Sequence, residues 1–241
     1  MQLGFYGYVY NKINATRACL ESIRNIYPEN PIVISCDDGY DFTDFCKENE
    51  IIYHHYKNRI GYASTDAGYN KTQLIEWLDR MHRGVCLLNT DFFMMLEDDV
   101  KILKPITLKK EWECVGQVRM YEGQVPPMPP EFLDIIQTFS GVRPTHDYYT
   151  TSGGSIFKTD TFLKNYFHIR HFLIENFDYI QQNIYKTIGW NDCMMTVFYF
   201  LCGKSLTENN KLHNNFPLLK PFDVSTLPEH IEILHNYKDH Y

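Results

Sequence analysis

The sequence predicts an α/β protein built on a mostly parallel β-sheet flanked by helices. Within the first 56 residues, apolar runs too short for helices alternate with segments of helical period, in the order strand–helix–strand–helix–strand. That order calls for right-handed crossovers and parallel strands. Two strand-like runs stop abruptly at acid pairs, Asp37-Asp38 and Asp98-Asp99. The 241 residues, 44% apolar and 22% charged, supply enough chain to bury a real core.

Residues 3–10 are aromatic and β-branched, with a glycine on each side of Tyr6, and read as a buried strand. Over 15–26, Ala15, Ala18, Cys19, Ile23 and Ile26 recur near helical spacing. Asn14 stands where a side-chain oxygen could cap that helix, and Pro28 and Pro31 bracket its end. Residues 31–35 form a short strand closed by the Cys-Asp-Asp-Gly turn at 36–39. A short helix is expected over 42–48 and a strand over 51–56. Leu74, Ile75, Trp77, Leu78 and Met81 put a helix on 66–83, and the Phe-Phe-Met-Met-Leu run at 92–96 is a fully buried strand.

The Pro-rich stretch 125–130 can join neither a helix nor a central strand. It separates a first half, 1–125, from a second half of different texture, 126–241, within one compact domain. In the second half, 148–158 contain Thr-Thr-Ser-Gly-Gly, 165–188 are mostly helical, 192–201 form a strongly apolar helix, and a weak helix is expected over 228–235.

Composition excludes several classes of function. Lys and Arg total 23 against 30 Asp and Glu, a formal charge of −7. With no basic stripe, a nucleic-acid backbone is not an expected partner. The amino terminus lacks a basic segment followed by a long apolar one, and every apolar run falls short of the roughly 20 residues of a membrane span. Cys19, Cys36, Cys46, Cys86, Cys114, Cys193 and Cys202 are odd in number and form no C-x-x-C pair. Reduced, structural cysteines in a cytoplasmic protein are therefore expected.

The chemistry concentrates at 92–100, Phe-Phe-Met-Met-Leu-Glu-Asp-Asp-Val. Three consecutive carboxylates repel one another, and such a triplet at a buried strand end is not placed there for stability. Taken alone it reads equally well as a solvated turn. In open α/β sheets, however, ligands sit beyond the carboxyl ends of the strands, and hard oxygen ligands there suit Mg²⁺ or Mn²⁺ held jointly with phosphates.

With these residues in order along the chain, the sequence resembles nucleotide-sugar-dependent glycosyltransferases of the GT-A type. The resemblance rests on Tyr8, Tyr10 and Asn11 at the opening strand, the Ile-Ser-Cys-Asp-Asp-Gly turn and Asn58-x-x-Gly61. It continues through Leu-Glu-Asp-Asp-Val, Gly153-Gly154-Ser155-Ile156-Phe157 and Trp190-Asn191-Asp192, covering roughly residues 3–213. It implies a GT-A, Rossmann-like sheet whose first half binds the donor and whose second half, with the C-terminal tail, binds the acceptor. Asp37 or Asp38 would contact the nucleotide base, Glu97 the ribose hydroxyls, and Asp99 a metal bridging the diphosphate. Asp98 would reach that metal through water, although Glu-Asp-Asp in place of Asp-x-Asp leaves open which acid binds directly. Gly153 and Gly154 would let backbone approach the donor sugar.

Asp192 opens an apolar helix, a position that suits a carboxylate by the helix dipole alone; the resemblance makes it the general base for the acceptor hydroxyl. His213 stands where the family often supplies a metal-binding histidine, and a surface-loop histidine reads equally well there. Arg59 and Lys71 could reach a diphosphate, and His168-x-x-His171 could share a helix face without a third ligand. The expected activity is metal-dependent transfer of a sugar, from a UDP-sugar in preference, to a hydroxyl of a glycan or protein-linked glycan, with inversion favoured. A sugar-phosphate nucleotidyltransferase or a catalytically silent nucleotide-sugar-binding module are the alternatives.

Overall fold

In the computed structural model of the chain, the described residues are 1–60, 70–116, 118–119, 127–144, 146–147, 149–150, 152–184, 190–202, 207–208, 211–214 and 224–235. Five strands are numbered here in chain order with the helices between them: β1 (Leu3–Val9), α1 (Ile13–Ile26), β2 (Ile32–Cys36), α2 (Thr43–Glu48), β3 (Ile52–His55), α3 (Lys71–Leu88), β4 (Phe92–Leu96) and β5 (Lys101–Ile102). After them come β6 (Cys114–Gly116), β7 (Val118–Arg119), α4 (Pro130–Ser140), β8 (Tyr149–Thr150), β9 (Ile156–Lys158), α5 (Thr159–Glu175), α6 (Phe177–Asn183) and α7 (Trp190–Leu201). Three short strands, β10 (Thr207–Glu208), β11 (Leu212–Asn214) and β12 (Ile233–His235), complete the set.

The central sheet has the order β10-β6-β9-β4-β1-β2-β3. β1 pairs in parallel with both β2 and β4, and β2 with β3. β9 runs antiparallel to β4 and β6, while β10 lies parallel to β6. The sheet is thus parallel except for β9, as expected of an α/β chain. Strands from both sides of the Pro-rich stretch share it, because β9 is inserted between β4 and β6.

Side chains on the central strands alternate between two cores, which is why these strands are buried on both faces. Tyr6, Tyr8, Phe93, Met95 and Phe157 join one cluster with Leu74, Trp77 and Met81 of α3, Phe132 of α4, Phe162 of α5 and Phe198 of α7. Phe5, Val9, Phe92, Met94, Leu96 and Ile156 face the opposite cluster with Cys19, Leu20 and Ile23 of α1 and with Leu212 and Ile233. Each large apolar side chain buried this way stabilises the fold by about 1.5–3 kcal/mol before entropy is counted. Gly84 marks a close helix–sheet approach: a Cβ there would lie 2.3 Å from the Tyr6 ring.

Several boundaries differ from the sequence reading. The first helix begins at Ile13, with Lys12 at its N-cap and no side-chain cap, so Asn14 lies inside the helix instead of capping it. A capping box forms instead at α3, where Asn70 Oδ1 accepts the Gln73 N–H at 2.9 Å and Gln73 Oε1 accepts the Asn70 N–H at 2.9 Å. That helix continues to Leu88 before Asn89 turns left-handed, φ 48°. The expected 165–188 helix is two, α5 starting at Thr159 and α6 ending at Asn183.

The expected weak helix over 228–235 is a turn followed by a strand. The Ile231 N–H bonds the Pro228 carbonyl at 3.0 Å, and β12 pairs in parallel with β11 and antiparallel with β5. Pairing with two distant strands overrides the weak local preference, and all of Ile231, Glu232, Ile233, Leu234 and His235 are buried. Among the described residues, no helix is long and apolar enough to cross a membrane.

Candidate functional site

The site is built where four separate stretches of chain meet at the carboxyl end of β4. Leaving Leu96, the chain turns tightly, the Val100 N–H donating to the Glu97 carbonyl at 3.2 Å. This turn displays Glu97, Asp98 and Asp99 together. The second stretch is the 152–155 turn ahead of β9, tied to β4 by Met95 N–H to Ser155 O at 2.8 Å and Gly154 N–H to Met95 O at 2.9 Å. The start of α7 brings Asp192, whose Oδ1 accepts the Ser152 N–H at 3.0 Å. The end of β12 brings His235.

His235 Nε2 lies 2.9 Å from Glu97 Oε2 and 3.5 Å from Asp99 Oδ1. Glu97, Asp99 and His235 each offer a ligand atom within 4.8 Å of the others. Oxygen ligands at about 2.1 Å from a small divalent ion stand about 3 Å apart when adjacent in an octahedron, so the two short separations match such a site with little adjustment. Two carboxylates and an imidazole suit Mn²⁺ well; Mg²⁺, which takes oxygen almost alone, is served by the carboxylates. Ser152 donates its hydroxyl to Glu97 Oε1, so Glu97 is clamped between Ser152 and His235. The Glu97 carboxylate thus faces this cluster.

Gly153 and Gly154 are required by the site itself. A Cβ on Gly153 would lie 2.6 Å from His235 Nε2 and 3.0 Å from Val100 Cγ2. Gly154 adopts φ 82°, a conformation that side chains oppose, and a Cβ there would meet Leu212 Cδ1 at 2.5 Å. The glycine pair therefore lets the turn lie flat against the imidazole and the three-stranded sheet.

Electrostatics follow from this crowding. Burial pushes the Asp98 carboxyl up, Lys12 pulls it down, and the charges of Asp99 and Glu97 raise it again, leaving it at about 6. Lys12 Nζ sits 3.3 Å from Asp98 Oδ1. Burial lowers the His235 imidazole, but its hydrogen bond to Glu97 and the charges of Glu97, Asp99 and Asp192 outweigh that, and its pKa is raised. Its Nδ1 is buried with no hydrogen-bond partner among the described residues.

The other predicted donor contacts gather at the ends of β1 and β2. Asp37 and Asp38 part company there. Asp37 is buried, with Oδ1 accepting from Arg80 Nη1 at 2.6 Å and from the Tyr8 hydroxyl, and Oδ2 accepting the Ile60 N–H at 3.1 Å. Asp38 is exposed. Arg80, 2% exposed, also bonds Glu76 at 2.9 Å, and its guanidinium stacks 3.7 Å over the Tyr56 ring. Tyr10 is half-buried beneath the exposed Arg59, whose guanidinium lies 4.7 Å above the ring. Asn11 Oδ1 accepts the Tyr40 N–H at 2.9 Å, closing the turn after β2. Of the two bases suggested for a diphosphate, Lys71 lies over Phe177, 5.6 Å from its ring centre.

Sequence reasoning missed two residues of this region. His235 lay in a segment read as helix, although Ile231, Glu232 and Ile233 alternate as a strand would. Arg80 sits in a helix among polar neighbours and reads as solvated. His213 lies on β11, paired in register with Leu234; its side chain is outside the described residues, as are Gly61 and residues 120–126. His168 and His171 both pack against Phe139, at 4.5 and 5.6 Å, and His171 pairs with Glu175 at 3.3 Å. No protein-family model matches the chain, and no curated protein matches it significantly.

Removing one partner of the Arg80–Asp37 pair strands a buried charge. Arg80→Leu is expected to lower the unfolding free energy by about 3–5 kcal/mol, and Asp37→Leu in the same chain to recover most of that loss. Urea unfolding checks both; a single-variant loss below about 1 kcal/mol would contradict the assigned burial.

His235 sets a pH dependence in metal-free protein. Its folded pKa lies above its unfolded value, so its contribution is complete below about pH 6.5 and fades as pH rises through the folded value. Relative to His235→Asn, wild-type protein in chelator should lose stability over that rise. Parallel stability curves for the two proteins would refute it.

Proposed function

We propose that the protein is a metal-dependent glycosyltransferase of the GT-A type, transferring a sugar from a nucleoside diphosphate donor, a UDP-sugar in preference, to a hydroxyl of a glycan or protein-linked glycan. One observation carries this reading: Glu97, Asp99 and His235 converge at the carboxyl end of β4, with the Asp192 carboxylate beside them on the Ser152 N–H. β4 and β2 lie on either side of β1, so this is the point where strand order reverses, and in open α/β sheets that crevice takes the ligand. The mostly parallel central sheet flanked by helices fits a Rossmann-like fold, the coarse architecture that the GT-A resemblance implies.

Mn²⁺ or Mg²⁺ bound by Asp99, His235 and Glu97 would neutralise the departing diphosphate. Ser152 orients Glu97, an outer contact that fixes a ligand's direction. Lys12 keeps Asp98 in place beside the cluster. Asp38, Tyr10 and Arg59 offer an exposed carboxylate and a stacked ring–guanidinium platform for the base, while Tyr8 and Asp37, engaged with Arg80, form the floor below. Asp192 is held by the Ser152 N–H and takes the proton of the acceptor hydroxyl as that oxygen attacks the anomeric carbon, a direct displacement with inversion.

A donor panel supplied with Mn²⁺ tests the reading by release of nucleoside diphosphate. Release should depend on a suitable acceptor and vanish with EDTA. Asp192→Asn should keep donor affinity and lose about 10²- to 10⁴-fold in transfer. No donor bound or consumed, or full turnover by Asp192→Asn, would defeat the assignment; binding without any turnover would instead favour a silent nucleotide-sugar module.

A further inference from the structure

The imidazole of the proposed metal site arrives on β12, three residues long, and its position depends on what holds that strand. The residue at the strand's entry, Glu232, is buried, 7% exposed, and every polar group it carries is engaged. Its N–H donates to the Lys211 carbonyl at 2.8 Å, and its carbonyl accepts from the Leu103 N–H at 2.8 Å and the Lys104 N–H at 3.4 Å. Its carboxylate accepts from the Thr107 N–H at 3.1 Å and the Thr107 hydroxyl at 3.0 Å, and pairs with the Lys211 ammonium. Lys211 Nζ in turn donates to Thr107 Oγ1 at 3.0 Å.

Two segments more than a hundred residues apart are therefore fastened to one carboxylate. Thr107 follows β5, and Lys211 precedes β11, the two strands between which β12 lies. β12 itself is short: Ile233, Leu234 and His235 lie opposite Leu212, His213 and Asn214 of β11, and Ile233 and Leu234 lie opposite Ile102 and Lys101 of β5, so His235 is paired on one side only. Side-chain bonds to a charged group are the stronger kind. Three residues beyond this clasp, His235 must meet Glu97 at 2.9 Å across a turn so close that Gly153 admits no Cβ.

We propose that Glu232 is the positioning residue of the metal centre: its clasp on Thr107 and Lys211 holds β12 so that His235 stands preformed against Glu97 and Asp99. The inference rests on the metal reading given above. Glu232 touches neither metal ligand nor substrate and acts through the strand. Metal and clasp are then linked, each favouring the docked strand that the other needs.

Mn²⁺ binding, followed by the loss of the free-ion paramagnetic resonance signal, tests this without turnover. Wild type should bind Mn²⁺. Glu232→Ala should weaken that binding about 10- to 100-fold, the range for outer contacts of metal ligands, and Glu232→Gln should restore it to within a few-fold. The metal-free melting temperature should move far less than the affinity, which a merely structural role would not produce. If Glu232→Ala fails to fold, Thr107→Ala, which removes only one hydroxyl from the clasp, should still weaken Mn²⁺ binding several-fold. Wild-type Mn²⁺ affinity in folded Glu232→Ala or Thr107→Ala would overturn the clasp and leave the metal reading standing. Absence of Mn²⁺ binding by wild type would overturn the metal reading itself, and the clasp with it.

Discussion

Mutual repulsion among Glu97, Asp98 and Asp99 is the constraint to which the surrounding architecture answers. Three consecutive carboxylates leave a fully buried strand and are held in partly or wholly buried positions. Each of the neighbours that reaches them offsets part of that charge or takes part of it as a hydrogen bond. Lys12 meets Asp98, His235 meets Glu97 and Asp99, and the Ser152 hydroxyl meets Glu97. Even so, Asp98 is pushed up to about 6 and the imidazole is raised above its ordinary value. A divalent cation would relieve the strain that these partners only lessen.

The topology explains how such distant residues come together. Parallel strands β1, β2 and β4 end on one side of the sheet, so their terminal acids share one rim. β9 enters between β4 and β6 in the opposite sense, so the turn before it, 152–155, lands on that same rim. The same reversal brings the Ser152 N–H to Asp192 and lays Gly153 against His235. At the neighbouring strand ends, a buried Arg80 neutralises Asp37 and ties β1, β2, α3 and the segment at Ile60 into one floor. A buried ion pair thus underlies these strand ends, while Asp38 and Arg59 remain exposed beside it.

How much of this was legible in the sequence follows from which forces are local. β1, β2 and β4 were readable because strands buried on both faces are written as unbroken apolar runs, closed by turn residues and acids. The carboxylate triplet, the glycine pair and Asp192 stand out in the sequence by their immediate neighbours, and the structure brings them to one end of β4. His235 was not readable, because three residues of strand acquire their conformation only from β5 and β11, and an isolated Pro-started segment carries no helical or strand period long enough to decide. Arg80 was hidden for a related reason. A polar residue on a helix reads as solvated until the tertiary fold shows Asp37, Tyr8 and the Tyr56 ring closing over it. The first helix start was misjudged because Asn14 looks like a cap, whereas the chain leaves β1 and enters the helix at once.

Five of the chain's 30 acidic residues, Asp37, Asp38, Glu97, Asp98 and Asp99, gather at neighbouring strand ends on one rim of the sheet. On the proposed reading, an acidic rim facing an anionic diphosphate would need a cation between them, and Asp99, Glu97 and His235 lie close enough together to hold one. Anomalous diffraction from crystals grown with Mn²⁺ and a nucleoside diphosphate tests this most directly. The account predicts a single strong peak within coordination distance of the Asp99 carboxylate and His235 Nε2. A well-ordered nucleotide with no manganese there, or manganese bound elsewhere, would contradict it.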